Sequence, residues 1–284
     1  MRLILYLTLS DFLLAFFGYP YTIFLVTYWN PVEISYYPTY LMISSQVQPI
    51  QLKVKLILTT AIALDRNIAI IIPVYYRKVN NSIFANVSLL IAVLFAAFDV
   101  IYLFLSSPIQ EHINCATIGC FVSDQFRYYW GVSNMTIGCL IIILTLVMLE
   151  KLKELRRKTN QQSFRNENAK FRQANQTSLG ILLQSMVFIT IPSVGVGFVE
   201  MIGYSIFRSI GPFYNCGLMA SGAVNIVVYV LINKDFRQLA VKTCSRPKNS
   251  NTSSLGVTLS NNVRVASNSQ LGKPTTIVTV STFN

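Results

Sequence analysis

Six long apolar stretches leave this chain few ways to fold: Leu3 to Tyr28, Leu41 to Ala69, Phe84 to Leu105, Tyr129 to Leu149, Ser178 to Met201 and Ile210 to Ile232. Each reaches the roughly 20 residues that a helix needs to cross the hydrocarbon core of a bilayer. No water meets backbone polar groups there, so segments of this length are helices, whose hydrogen bonds are all internal. Pro20, Pro49 and Pro192 fall inside three of them and predict kinks, because proline lacks an N–H and crowds the preceding turn. Charged residues make up only 12% of the 284 residues, about half the share that covers a soluble domain. The composition disfavours a soluble enzyme, and the expected fold is an all-α, polytopic transmembrane helix bundle with six spans.

The charge distribution orients the bundle. The chain carries 23 Lys+Arg against 11 Asp+Glu, a formal charge of +12. Placing the loop after the second span in the cytoplasm puts 19 of these basic residues inside and only Arg127 and Arg208 outside, with Lys53 and Lys55 within a span. That is the asymmetry of the positive-inside rule, and it puts both ends of the chain in the cytoplasm. A basic chain also suggests nucleic acid, but here the basic residues sit between and after apolar blocks, so no nucleic-acid partner is expected. The run from Leu3 extends to Tyr28, is interrupted by Asp11 and has no small-residue cleavage site, which favours a true span over a signal peptide. From Ser245 the chain turns to Ser, Thr and Asn without apolar periodicity, the composition of a disordered tail. The expected domains are a bundle over residues 1–244, with a short amphipathic helix at about 234–244, and a cytoplasmic tail over 245–284.

Two short segments bear on function. The second span ends in Asp65-Arg66-Asn67 with Pro73 following, and the sixth reads Asn225-Ile-Val-Val-Tyr229 before Asn233-Lys234-Asp235. Alone, an acid beside a base at an interface reads as a solvated helix end. Together they resemble rhodopsin-like G-protein-coupled receptors: Asp65-Arg66 the Asp-Arg-Tyr end of the third helix, and Asn225 to Tyr229 the Asn-Pro-x-x-Tyr end of the seventh. Leu7 to Asp11 resembles the acid-bearing core of the second helix. Asn175 to Leu182, Pro192 to Gly197, Gly211 to Tyr214 and Asn233 to Asp235 are similar to the nematode serpentine seven-transmembrane chemoreceptors, most closely the Srbc class.

The resemblance implies a chemosensory receptor in the plasma membrane, and by analogy in sensory neuron cilia. It would bind an external small molecule in the bundle and activate a heterotrimeric G protein. Asp65, Arg66, Pro73, Asn225 and Tyr229 would form the coupling and switching set. Asn67 and Ile226 depart from the rhodopsin-like pattern. The resemblance also implies that the family's first helix has no counterpart here, which leaves a six-span variant or an incomplete chain. Cys115 and Cys120, in an outer loop, could close a local disulfide or stay free. Cys244 resembles a palmitoylation site, with an unmodified thiol as the alternative. His112 is a lone outer-loop histidine rather than a metal ligand. The sequons at Asn80, Asn86, Asn175 and Asn251 fall on the cytoplasmic side, and Asn134 lies within or beside a span, so none is expected to carry a glycan.

Ionisable residues in a span default to functional candidates. Asp99 and Glu200 lie in the outer halves of theirs and either face a ligand pocket or snorkel to the headgroups. Asp11 and Lys55 lie at similar depths, about 12 and 15 Å from the inner boundary at 1.5 Å per residue. They can therefore pair, the alternative being that Lys55 snorkels or faces lipid, and Lys53 points the other way. Neither a Gly-rich phosphate loop, a metal-ligand cluster nor a nucleophile with a histidine partner occurs, so no enzyme activity, metal or cofactor is expected. The alternative function is a transporter or channel subunit, which predicts inverted repeats; none is visible.

The charge asymmetry predicts that residues 151–177 are cytoplasmic and 106–128 external. A cysteine introduced near Asn160 should resist membrane-impermeant labelling of intact cells, and ready labelling there would reverse the topology.

Overall fold

A computed structural model describes residues 2–28, 36–76, 78, 80–110, 118–159, 168–204 and 213–232, all within the compact unit Met1–Cys244. Among them there is no strand. The helices are α1 (Arg2–Thr27), α2 (Pro38–Ser45), α3 (Val47–Ile71), α4 (Pro73–Tyr76), α5 (Asn81–Ser106), α6 (Asp124–Thr159), α7 (Asn168–Ser185), α8 (Ile191–Met201) and α9 (Phe213–Ile232). Their ends follow local chemistry. Pro38 and Pro73 each open a helix, where the missing N–H would have had no partner. The Asn80 side chain accepts from the Ser82 N–H at 3.0 Å and caps α5.

Two expected spans differ from their sequence reading. Leu41 to Ala69 divides at Gln46 into α2 and α3, and Gln46 turns its side-chain amide back onto the Met42 carbonyl. Pro49 therefore sits in the first turn of α3 and breaks no interior hydrogen bond. Ser178 to Met201 is helical throughout but not regular: α7 and α8 are joined by a π-helical turn, Met186–Thr190, just before Pro192. Among the described residues, four segments are long and apolar enough to cross a membrane: Arg2–Thr27, Asn81–Ser106, Asp124–Leu155 and Asn175–Met201. The second expected span, now α3, is not among them. For α3 the packing supplies a reason. It carries Lys53, Lys55, Asp65 and Arg66, and 15 of its 25 residues are buried, because α1, α5, α6 and α7 surround it. A helix wrapped by protein need not be apolar on every side.

Two apolar clusters fill the bundle. One holds Leu14, Leu52, Leu103, Phe126 and Trp130; the other holds Leu7, Leu58, Ala96, Met148 and Ile181. Their members bracket Asp11 on α1, Lys53 and Lys55 on α3, and Asp99 on α5, so a polar layer lies between two apolar ones. The α6–α8 seam is closed by glycines. A Cβ on Gly197 would stand 2.5 Å from both the Gly131 carbonyl oxygen and the Met135 Cβ. Such small-residue contacts let membrane helices approach backbone to backbone. Gly197→Ala should therefore lower stability by about 1–3 kcal/mol, the usual cost of overpacking, read as a lower thermal midpoint of the purified protein. An unchanged midpoint would mean that the seam is loose.

Candidate functional site

Lys53 and Lys55, both fully buried, leave α3 in different directions because adjacent alternate positions on a helix are about 200° apart. Lys55 Nζ lies 2.5 Å from Asp11 Oδ1 on α1. Gln51 Nε2 donates to the same oxygen at 3.2 Å, and Asn225 Nδ2 of α9 donates to Asp11 Oδ2 at 2.7 Å. Both carboxylate oxygens are thus engaged, and the cluster ties three helices together. The structure brings together Asp11 and Lys55, as depth matching expected, and adds Asn225, which the resemblance had assigned to a switch at the inner end.

Lys53 makes a second buried pair that sequence reasoning missed. Its Nζ lies 3.2 Å from Asp99 Oδ2 and donates to Ser133 Oγ at 2.8 Å. Tyr129 donates from its hydroxyl to Asp99 Oδ1 at 2.9 Å, and its ring centroid is 6.0 Å from the ammonium. Asp99 is 1% exposed, so it does not snorkel. The signal was available. Lys53 lies six residues below the outer end of α3, and Asp99 seven below the outer end of α5, each about 10 Å deep by the helical rise.

Glu200 is buried on α8 against Gly131 and has no ion-pair partner among the described residues. Its Oε1 lacks a hydrogen bond. Cys120 is disulfide-bonded; its partner, like Cys115, His112 and Cys244, lies outside the described residues. Cys139 and Cys216 are free thiols. Among the described residues no group of His, Cys, Asp and Glu could hold a metal ion.

At the inner end of α3, Arg66 Nε and Nη2 donate to Asp65 Oδ2 at 2.9 and 2.5 Å. Nη2 also reaches the Tyr76 hydroxyl at 3.5 Å, which accepts from Asn81 Nδ2 at 3.3 Å. Burial holds the Tyr76 phenol above its usual range, so it stays neutral. Asn67, standing where tyrosine is usual in the motif, donates to the Ala63 and Leu144 carbonyls at 2.8 and 2.9 Å and pins α3 to α6. Pro73 opens α4. Tyr229 lies in α9, its side chain outside the described set, as is the expected amphipathic helix at 234–244.

Leaving either member of the Asp11–Lys55 pair alone at mid-span should cost about 2.5–3.5 kcal/mol. Asp11→Asn and Lys55→Met should each reduce folded protein at the cell surface, and the double variant should be less impaired than the sum of the two. Strictly additive losses in quantitative surface labelling would show that the pair is not coupled.

Residues 1–235 match the family model described as serpentine type 7TM GPCR chemoreceptor Srbc. No curated protein matches the chain. The matched region contains every described helix from α1 to α9, both lysine–aspartate pairs and the Asp65–Arg66 contact, and it covers most of the 284 residues. The chain belongs to the Srbc serpentine chemoreceptors, a family of membrane receptors and not of enzymes.

Proposed function

We propose that this protein binds an external small molecule within its helix bundle and activates a heterotrimeric G protein at its basic cytoplasmic face. The observation that carries this reading is the Arg66 contact. A guanidinium at the inner end of the most enclosed helix is held by its neighbour Asp65 and touches Tyr76, beyond the helix end. A bidentate, always-charged group suits such a latch, since it can exchange one set of acceptors for another without losing its charge. In the active state Arg66 leaves Asp65 and meets backbone carbonyls of the G protein. The ligand acts by binding the active arrangement more tightly than the silent one.

The plasma membrane, including that of sensory cilia, is the proposed location. External ligand and internal partner then lie on the two sides that the Lys/Arg distribution assigns. Asp65, Arg66, Pro73, Asn225 and Tyr229 remain the proposed coupling set, with Asn225 acting through Asp11. A Cys115–Cys120 loop and a lipid on Cys244 belong to the same reading.

Arg66→Ala should preserve surface expression while reducing nucleotide exchange on the G protein by about tenfold or more, the scale of a charge-assisted hydrogen bond. The measurement compares wild type and variant in cells exposed to a panel of small organic molecules, with expression matched by surface labelling. Equal exchange at equal expression would remove Arg66 from the mechanism.

A further inference from the structure

Four buried polar side chains along one seam of the bundle have atoms without a hydrogen-bond partner. These are both amide atoms of Asn134, the hydroxyls of Thr190 and Ser193, and Oε1 of Glu200. The four residues are 1%, 0%, 1% and 8% exposed. Orphaned polar groups are costly in any interior and more so within hydrocarbon. A set of them in one place calls for a guest that can donate and accept.

The glycine contacts fix where they stand. Gly131 of α6 backs onto Gly197 and Glu200 of α8, and Gly138 onto Thr190 and Val194, so the two helices run antiparallel. Asn134 lies between those levels, turned about 60° from the glycine face toward the buried Trp130 and Ile141. On α8, Ser193 and Glu200 are turned about 40° and 60° from Gly197, both toward the buried Val196. The orphaned groups thus line the inward side of the seam. They extend from Glu200, one residue from the outer end of α8, to Thr190, about 15 Å deeper. Thr190 closes the π-turn Met186–Thr190, a departure from α-helix that is frequent at functional sites.

Charge narrows the guest. Asp11, Asp65 and Asp99 each meet a lysine or arginine, whereas Glu200 meets none among the described residues. A buried carboxylate with no cation beside it among the described residues suits a ligand that brings one. We propose that this seam anchors a small protonated amine. The ammonium donates to Glu200 near the external mouth, and a hydroxyl or carbonyl farther along the molecule bonds Asn134 and Ser193. The inference rests on the receptor reading above and names the ligand class for it.

The test uses the full-length protein in lipid nanodiscs and a matched series of linear amino alcohols and diols of equal chain length. The amino alcohols should raise the thermal midpoint and the diols should not. Glu200→Gln should weaken the amine effect about tenfold or more, while Asn134→Leu and Ser193→Ala should weaken it even though they leave the free protein as stable as before or more so. Three results would each overturn the site: no shift with any amine, equal shifts with amines and diols, or an unaltered amine effect in Glu200→Gln. An amine effect unaltered in both Asn134→Leu and Ser193→Ala would remove the second anchor and overturn the seam as the site. Amine binding without nucleotide exchange would refute the receptor reading and leave the site standing. Exchange evoked by other compounds but never by amines would refute only the ligand class.

Discussion

The low dielectric around α3 is the constraint on which the rest of the bundle depends. Two ammonium groups, two residues apart, stand where hydrocarbon-like surroundings make an uncompensated charge expensive. Each must therefore keep an acid beside it, and the acids belong to different helices, Asp11 on α1 and Asp99 on α5. Moving α3 along its axis or turning it would separate both pairs at once. Buried ion pairs are weak sources of net stability compared with apolar packing. What they supply here is a single permitted depth and rotation for the central helix. Ser133 and Tyr129 extend the same hold to α6, and Asn225 extends it to α9.

The two pairs are not equivalent. Asp11 is saturated, with Lys55 and Gln51 on one oxygen and Asn225 on the other. At Asp99, Oδ1 accepts from Tyr129, but Oδ2 faces Lys53 at ion-pair distance without a directed hydrogen bond, which Lys53 gives to Ser133 instead. The Asp11 cluster, which reaches α9, is therefore the firmer tie, and the Asp99 cluster holds the softer contact. The softer contact lies toward the outer end of α3 and the firmer one farther in.

Much of this was legible in the sequence, for identifiable reasons. Hydropathy marked α1, α5 and α6 because one side of each faces away from the protein core and must be apolar. Depth arithmetic brought Asp11 to Lys55, and the same arithmetic would have brought Asp99 to Lys53 had each acid been asked for a counter-ion. The break at Gln46 was hidden because its side chain substitutes for backbone bonding, and glutamine in a helix gives no warning of that. Pro49 misled in the opposite direction, since proline in a first turn disrupts nothing. The seam orphans, Asn134 and Ser193 among them, were invisible because lacking a partner is a property of three dimensions, not of a residue type.

The π-turn at Met186–Thr190 shifts the phase of everything that follows it. A π-turn amounts to one extra residue in an α-helical run, and each residue turns the helix by about 100°. Losing a single amino acid from this turn would leave a regular α-helix of nearly the same length. It would also swing Ser193, Gly197 and Glu200 off the α6 seam together, placing bulkier neighbours where Gly131 now touches backbone. Among relatives of this chain, the length of this short segment is therefore a sharper guide to which face of α8 looks inward than the identity of any residue on it.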